Sequence, residues 1–536
     1  MRASFMTLNT ESGSDPKAVL PILTGLSDIL SRQTGLRGDK TALVFEGQSL
    51  TYSELDAGAN KTANGLLSLD VIPNERVGHL GKNSHYYYEL LFGTCRAGAV
   101  LCPINWRLAL PEILYVLNDS KPRILFVGIE FIDMIPDLIK GAPALEHIIP
   151  MEPSPGYDDH YASWQNGFSP APTGITRSGL DDALQMYTSG TTGFPKGAVL
   201  SHRSTTTAYE RFRNDPTPDW NKWSDEDISL IPMPCFHIGG TAWGLTTMAH
   251  GGTGVVMRNF IPTDVLGYID KYKISKLFLV PAALQIVINQ DGVRDVDFSQ
   301  MKYMFYGASP MPLALLEQAI DVFGCGFAQF YGMTETSGSI TALPPEDHDV
   351  NGTERMRSVG KALLGVEIEI WDDNGKPLPA GEIGEITTRS TMNMNGYFEK
   401  PDATSETITA DAWLKTGDVG YMDKDGYIFL KDRKKDMIIS GGENIYPAEV
   451  ENALYAHPKI REAAIIGVPD EKWGETVKAC VVLEPGETLG AETLIAWSKT
   501  QIAKYKCPKS IEFLDELPRN PSGKVLRRKL RDIYSN

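Results

Sequence analysis

Short apolar runs alternate with helix-period segments along much of the chain, and this alternation restricts the fold more than any other feature. Ala42–Phe45 reads as a strand entering a hairpin, and Thr51-Tyr52-Ser53-Glu54 as a capping box opening a helix to about Leu67. Val77–Leu80, Ala99–Cys102 and Arg123–Val127 read as further strands, separated by helices near Ser84–Arg96 and Pro111–Leu117. An amphipathic helix is expected over 17–33, ahead of all of these. The stretch 152–180 is rich in Pro, Gly and Asp, and then the rhythm resumes. Strands are expected at Ile228–Met233, Gly254–Met257, Leu277–Val280 and Tyr303–Tyr306, with helices near 241–250, 263–272, 282–290 and 312–322. Parallel strands need helical crossovers of this kind. Two α/β subdomains with a crevice between their sheets are the expectation.

Beyond about Val359 the pattern changes. Val366–Ile370 alternates apolar with polar, Asp372-Asp373-Asn374-Gly375 is a turn, and Gly384–Thr388 is another strand. Lys424-Asp425-Gly426 punctuates a further hairpin, so this part reads as a β-rich subdomain. The charged run Lys431–Asp436 ends it, and a mixed α+β remainder follows that is long enough for a small domain. A chain of 536 residues exceeds what one core holds, in agreement with this division.

The formal charge of −17 argues against nucleic acid or an anionic membrane as a main partner. Six scattered cysteines make no CxxC pair or zinc-like spacing, which points to free thiols in a reducing compartment. No apolar stretch is long enough to span a bilayer, the start does not read as a secretory signal, and Tyr534-Ser535-Asn536 is not a peroxisomal address. A cytoplasmic location is expected, without integral membrane association; a homodimer is compatible with everything above.

One stretch carries chemistry on its face. Tyr187–Gly197 packs three glycines, four hydroxyls (Thr188, Ser189, Thr191, Thr192) and Lys196 into a short loop after an apolar strand. Glycine permits backbone N–H groups to turn to one side, and hydroxyls add donors without bulk, which suits a triphosphate. The spacing fails the P-loop pattern, because Pro195 precedes Lys196 and Gly197-Ala198-Val199-Leu200 reads as a strand. A helix is expected only after the hydroxyls at Ser201–Ser204. The loop is therefore read as a strand–loop–strand clamp.

Five motifs in order carry a resemblance to a known family. They are Tyr187–Gly197, Tyr331-Gly332-Met333-Thr334-Glu335, Lys415-Thr416-Gly417-Asp418, Asp432–Asp436 with Ser440-Gly441-Gly442-Glu443-Asn444, and Pro521-Ser522-Gly523-Lys524. Together they resemble the adenylate-forming superfamily of acyl-CoA synthetases, adenylation domains and luciferases, and most closely its bacterial-type carboxylic acid–CoA ligases. The resemblance covers about residues 35 to 530. It implies an N-terminal AMP-binding domain over 1–432, a hinge at 433–435 with Lys435 as hinge residue, and a small mobile C-terminal domain over 436–536.

The resemblance also implies the site. Thr188, Ser189, Gly190, Thr191, Thr192, Gly193 and Lys196 would grip the ATP phosphates; Thr334 would contact phosphate and Glu335 would hold Mg²⁺. Gly307-Ala308-Ser309, with Tyr331 and Gly332, would flank adenine, while Asp418, read as sitting in a tight turn, and Arg433 would hold the ribose hydroxyls. Lys524 would act on the α-phosphate during adenylation. Ser440, Gly441, Gly442, Glu443 and Trp473 would lie along the coenzyme A arm. His237, Gly239, Gly240, Trp243, Gly307, Met333 and Gly338 would line the acid pocket, with the adjacent glycines read as room for a bulky acid. By the resemblance, amino-acid-activating relatives tend to carry an aspartate at the place of His237, so an amino acid is disfavoured. The implied reaction joins a carboxylic acid to coenzyme A through an acyl adenylate, consuming ATP. The acid expected is a medium- or long-chain fatty acid or a bulky alicyclic one, steroid side chains included. An aryl acid, or an acceptor other than coenzyme A, is the alternative.

Overall fold

The computed structural model describes residues 22–157, 159–188, 195–211, 216–309, 311–348, 354–433, 436–440, 443–470, 473–519 and 525–534; within these, the side chains of 432, 433, 443, 444 and 474 are outside the description. Among the described residues the strands form sheets of nine, seven, four and five strands.

The seven-stranded sheet runs in the order Gly396–Tyr397, Lys196–Ser201, Asp182–Thr188, Val100–Pro103, Arg76–Leu80, Ile124–Val127, His147–Pro150. Its strands are parallel except at the hairpin formed by Asp182–Thr188 and Lys196–Ser201, and at the short strand added beyond it. The nine-stranded sheet has a parallel centre built from Thr41–Phe45, Thr253–Val256, Ile228–Ile231, Lys276–Leu279, Tyr303–Gly307 and Gly326–Met333. Antiparallel strands close both of its edges.

The helices Tyr52–Ser68 and His85–Ala97 pack against one another in a core that joins both sheets, with Leu43, Leu55, Tyr87, Leu91, Leu101, Leu184 and Phe305 all buried there. The first of these helices starts where expected. Thr51 Oγ1 accepts from the Glu54 N–H, and the Glu54 carboxylate accepts from the Thr51 N–H at 2.8 Å, so two otherwise orphaned donors are satisfied reciprocally. The opposite face of the nine-stranded sheet is covered by Pro262–Tyr272, Pro281–Ile288 and Leu313–Phe323 over Val255, Leu277 and Met304. Leu110–Ser120 covers the outer face of the seven-stranded sheet through Ile113 and Leu117.

Two expectations are corrected. Thr41–Phe45 leaves the first unit and pairs parallel with Thr253–Val256 in the second sheet, Leu43 opposite Gly254. A side chain at Gly254 would press on Leu43 and Ile231, so glycine there lets the strand dock. The first helix spans Asp28–Arg37 instead of 17–33, of which residues to 21 lie outside the description. The Asp28 carboxylate accepts from the Thr24 and Gly25 N–H groups at 2.8 Å, and this local turn delays the helix.

The β-rich subdomain is a four-stranded antiparallel sheet of Glu367–Trp371, Gly384–Arg389, Leu414–Met422 and Ile428–Arg433. The C-terminal part has its own five-stranded sheet and its own core. Val450, Leu454 and Leu494 lie on one face of that sheet with Ile465 and Val477, while Leu517 and Leu530 lie with Ile466 and Cys480 on the other.

Candidate active site

The clamp is a hairpin, as its failed P-loop spacing requires. Thr188 ends one strand and Lys196 starts the next, the two opposite each other in antiparallel register. Thr188 Oγ1 donates to the Lys196 carbonyl at 3.5 Å. The base is anchored on the helix Leu110–Ser120: Tyr115 Oη donates to the Pro195 carbonyl at 3.2 Å, and Tyr187 Oη to Asp119 Oδ2 at 2.8 Å. Ser189, Gly190, Thr191, Thr192 and Gly193 lie outside the described residues. The following helix begins at His202, with Ser201 Oγ accepting from the Ser204 N–H at 3.0 Å.

Glu335 sits in a 3-10 turn, Thr334–Thr336, directly after the strand Gly326–Met333. It is buried at 5% exposure, yet Oε1 accepts only the Tyr397 hydroxyl, at 2.8 Å, and Oε2 takes no hydrogen bond among the described residues. The Tyr397 ring also lies 5.0 Å from Lys196 Nζ. One tyrosine thus joins the hairpin base to the carboxylate, and sequence reasoning missed it. A lone Gly396-Tyr397 after a loop gives no periodicity and no charge to notice.

No group of three or more His, Cys, Asp and Glu side chains placed to hold a metal lies among the described residues. A single half-satisfied carboxylate linked through Tyr397 to Lys196 at the hairpin base fits Mg²⁺, which binds through one or two carboxylates plus substrate phosphates and keeps waters.

Residues expected at the nucleotide also converge. Tyr331 Oη donates to Asp418 Oδ2 at 2.6 Å, and Asp418 lies opposite Arg433 in the strand register. The Arg433 side chain is outside the description. Asp418 does not occupy a tight turn as expected: Lys415–Asp418 belong to the strand Leu414–Met422. Gly417 takes φ of 72° where the register with Gly384–Arg389 shifts, so a bulge re-aims the aspartate. Gly307-Ala308-Ser309 ends the strand Tyr303–Gly307, with Ala308 at φ of 66° and both Ala308 and Ser309 exposed. A Cβ at Gly307 would strike the Phe330 carbonyl, and one at Gly332 the Gly338 carbonyl, so both are set by close backbone approach.

His237 is the N-cap residue of the helix Ile238–Ala249, and its side chain makes no cap hydrogen bond. Its Nε2 is buried without a partner among the described residues. Burial, helped by Arg107, pushes its pKa down to about 4, so the ring is neutral and offers an unused ring nitrogen. The adjacent glycines differ in role, which corrects the reading of both as room. A Cβ at Gly240 would strike the Pro234 carbonyl and meet the Met233 carbonyl at 2.6 Å, whereas at Gly239 its nearest neighbour is Phe278 at 3.6 Å. Gly338, at φ of 119°, faces open space, and Met333 is half-buried beside it. Trp243 is buried, donates its indole N–H to the Leu230 carbonyl at 2.9 Å, and packs on Phe305 and Phe278.

In the C-terminal part, Ser440 lies opposite Glu443 and also opposite Gly474, which places it next to the exposed Trp473. Gly441, Gly442, Lys435 and Lys524 are outside the described residues, as is the Glu443 side chain.

A family model described as "AMP-binding enzyme" matches residues 30–398, and the "AMP-binding enzyme C-terminal domain" matches 449–524. The chain belongs to the AMP-binding enzymes. It is therefore an adenylate-forming enzyme of the acid–thiol ligase class, within the acyl- and aryl-CoA ligases. Its relatives include a fatty acid–[acyl-carrier-protein] ligase of Streptomyces coeruleorubidus, 41% identical over 92% of this chain and 93% of that one. A feruloyl-CoA synthase of an Amycolatopsis species is 36% identical over 95% and 98% of the two chains. Among solved structures, ATP-bound MatB from Rhodopseudomonas palustris superposes with a TM-score of 0.86 at 29% identity, over 95% of this chain and 99% of that one. The AMP-binding enzyme fold thus accounts for the large N-terminal and small C-terminal parts.

Proposed function

We propose that this AMP-binding enzyme is an ATP-dependent carboxylic acid–CoA ligase acting on a hydrophobic acid, a fatty acid or a bulky alicyclic one. The observation that carries the reading is the meeting of Lys196 and Glu335 at one side chain, a cation and a half-satisfied carboxylate beside a glycine-rich hairpin. That pairing suits a metal-bound triphosphate. The acid's oxygen would attack the α-phosphorus, the bond to the β-phosphate would break, and pyrophosphate would leave. A thiol sulfur would then attack the acyl carbon, AMP would depart, and the thiol proton would pass to solvent.

Within this reading Thr188, Lys196 and the hairpin loop hold the β,γ-phosphates, and Tyr331 fixes Asp418 for the ribose. Glu335 holds Mg²⁺, which neutralises phosphate charge when bound. The neutral His237 offers a ring nitrogen to the acid carboxyl or adenylate. Lys524 supplies the charge at the α-phosphate during adenylation.

A second reading concerns the acceptor. The Streptomyces relative's name specifies an acyl carrier protein, so the phosphopantetheine thiol of such a protein is the competing acceptor. Pyrophosphate release over a panel of carboxylic acids, with coenzyme A, with a phosphopantetheinylated carrier protein and with neither, separates the readings. Acid-dependent release with thioester formed on coenzyme A is expected. Thioester on the carrier alone selects the second reading, and release without any acid defeats both. Lys524→Ala should abolish pyrophosphate release while leaving thioester formation from supplied acyl adenylate largely intact.

A further inference from the structure

The segment Met394–Phe398 is a strap between two parts of the site that are far apart in sequence. On one side its backbone pairs with the return strand of the hairpin: Gly396 lies opposite Val199 and Tyr397 opposite Ala198. The Asn395 N–H donates to the Val199 carbonyl and the Phe398 N–H to the Gly197 carbonyl, each at 2.8 Å. On the other side the Met394 N–H donates to the Glu335 carbonyl at 2.8 Å. Gly396 takes φ of 148°, and a Cβ there would meet Thr404 Cγ2 at 2.7 Å, so the strap admits only glycine at its bend. The Arg76 guanidinium lies over the Phe398 ring at 4.1 Å and holds the far end down.

Tyr397 projects from this strap with its hydroxyl on Glu335 Oε1 and its ring face against Lys196. The hydroxyl donates to Oε1 and so fixes which oxygen is occupied. Oε2 is left as the oxygen able to take a cation. The ring quadrupole attracts the ammonium of Lys196 without a hydrogen bond, so that all three of its N–H donors stay available for phosphate.

We propose that Tyr397 is the positioning residue that presents Glu335 Oε2 to the metal and Lys196 to the phosphates, coupling the two grips on one magnesium–triphosphate. This rests on the reading of Glu335 as the metal carboxylate. The hydroxyl serves the metal and the ring serves the lysine, so substitutions separate the two.

The test uses the full-length enzyme and a non-hydrolysable ATP analogue. Binding is followed by calorimetry across a Mg²⁺ titration, and Mn²⁺ bound in the ternary complex is read by electron paramagnetic resonance. Tyr397→Phe, which keeps the ring, should raise the Mg²⁺ and Mn²⁺ midpoints roughly tenfold, as expected for one charge-assisted hydrogen bond. It should leave analogue affinity at saturating Mg²⁺ within about twofold, since the cation–ring contact remains. Tyr397→Leu should raise the midpoint and also weaken the analogue at saturating Mg²⁺ by roughly three- to fivefold. Melting curves of all variants exclude misfolding as the cause, and Glu335→Gln is the reference. A shifted midpoint in Glu335→Gln with an unshifted one in Tyr397→Phe overturns the positioning role and keeps the metal reading. Unshifted midpoints in both overturn the metal reading and the inference with it.

Discussion

Glu89 shows what a single buried carboxyl does to this protein. It lies on the helix His85–Ala97 at 5% exposure, with Gln165 Nε2 donating to its Oε2 at 2.9 Å. Helix Tyr52–Ser68 presses on it, since a Cβ at Gly58 would meet Oε2 at 2.6 Å. Burial pushes its pKa up to about 7 from an ordinary 4.5, against the smaller opposing effects of Gln165 and Lys61. Below that ordinary value both folded and unfolded chains hold the proton. Between about 4.5 and 7 only the folded chain holds it, so this group's contribution to stability falls as pH rises and is fully lost above the upper value. Glu89→Gln, which cannot ionise, should therefore be near neutral at acid pH and stabilising at pH above the upper value, by on the order of 3 kcal/mol at most. Denaturant melts of both proteins at the two pH extremes check this; an equal difference at both would contradict it.

At the scale of elements, the helix Ile238–Ala249 and the strand Tyr303–Gly307 bound the lane an acid would enter. Gly307, Phe305 and Tyr303 alternate onto one face of that strand, over roughly 13 Å. Gly307 is at the end proposed to face adenine, and Tyr303 lines a surface cavity of about 390 Å³ with Trp223, Asp227 and Lys302. Between them Phe305 packs on Trp243 at 5.2 Å and stacks on Phe330 at 5.5 Å, and Trp223 closes on Trp243 at 5.2 Å. Trp223 is thus the last ring before the cavity, held by Lys276 Nζ at 4.1 Å from its face. Trp223→Ala should open the lane and move the preferred fatty acid to longer chains, read as kcat/KM over a chain-length series; an unmoved optimum would show that the acid does not reach this far. Legibility in the sequence follows the same boundary. The capping box at Thr51 and Glu54, the clamp hairpin and the alternating strands are local patterns, and they were readable. That Thr41–Phe45 joins the second sheet, that Gly240 is set by the Pro234 and Met233 backbone, and that Tyr397 reaches Glu335 are long-range packing outcomes. No window of residues carries them.

On the proposed function, the whole molecule has to present different groups to one site in two half-reactions. Asp436, just past the expected hinge, is paired with Arg531 at 2.6 Å and Arg527 at 3.5 Å, and Arg527 also pairs with Glu451 at 2.7 Å. The helix Arg527–Tyr534 begins three residues after Lys524 in the sequence, and its Arg527 and Arg531 are what hold Asp436. Lys435→Pro should lock one arrangement, sparing pyrophosphate release while suppressing thioester formation; unimpaired turnover would remove the hinge. The cysteines bear on the same chemistry from another side. All six are free; five of them are buried and Cys325 is partly covered. Burial lifts the Cys95, Cys102, Cys235 and Cys325 thiols to about 12, and Cys480 to about 11. A thiolate, not a thiol, is the form that would attack an acyl adenylate, and Cys235 lies only two residues from His237. Buried and protonated, these sulfurs are poor nucleophiles, so on the proposed function an activated acid would meet no thiolate among them before the thiol that arrives from outside.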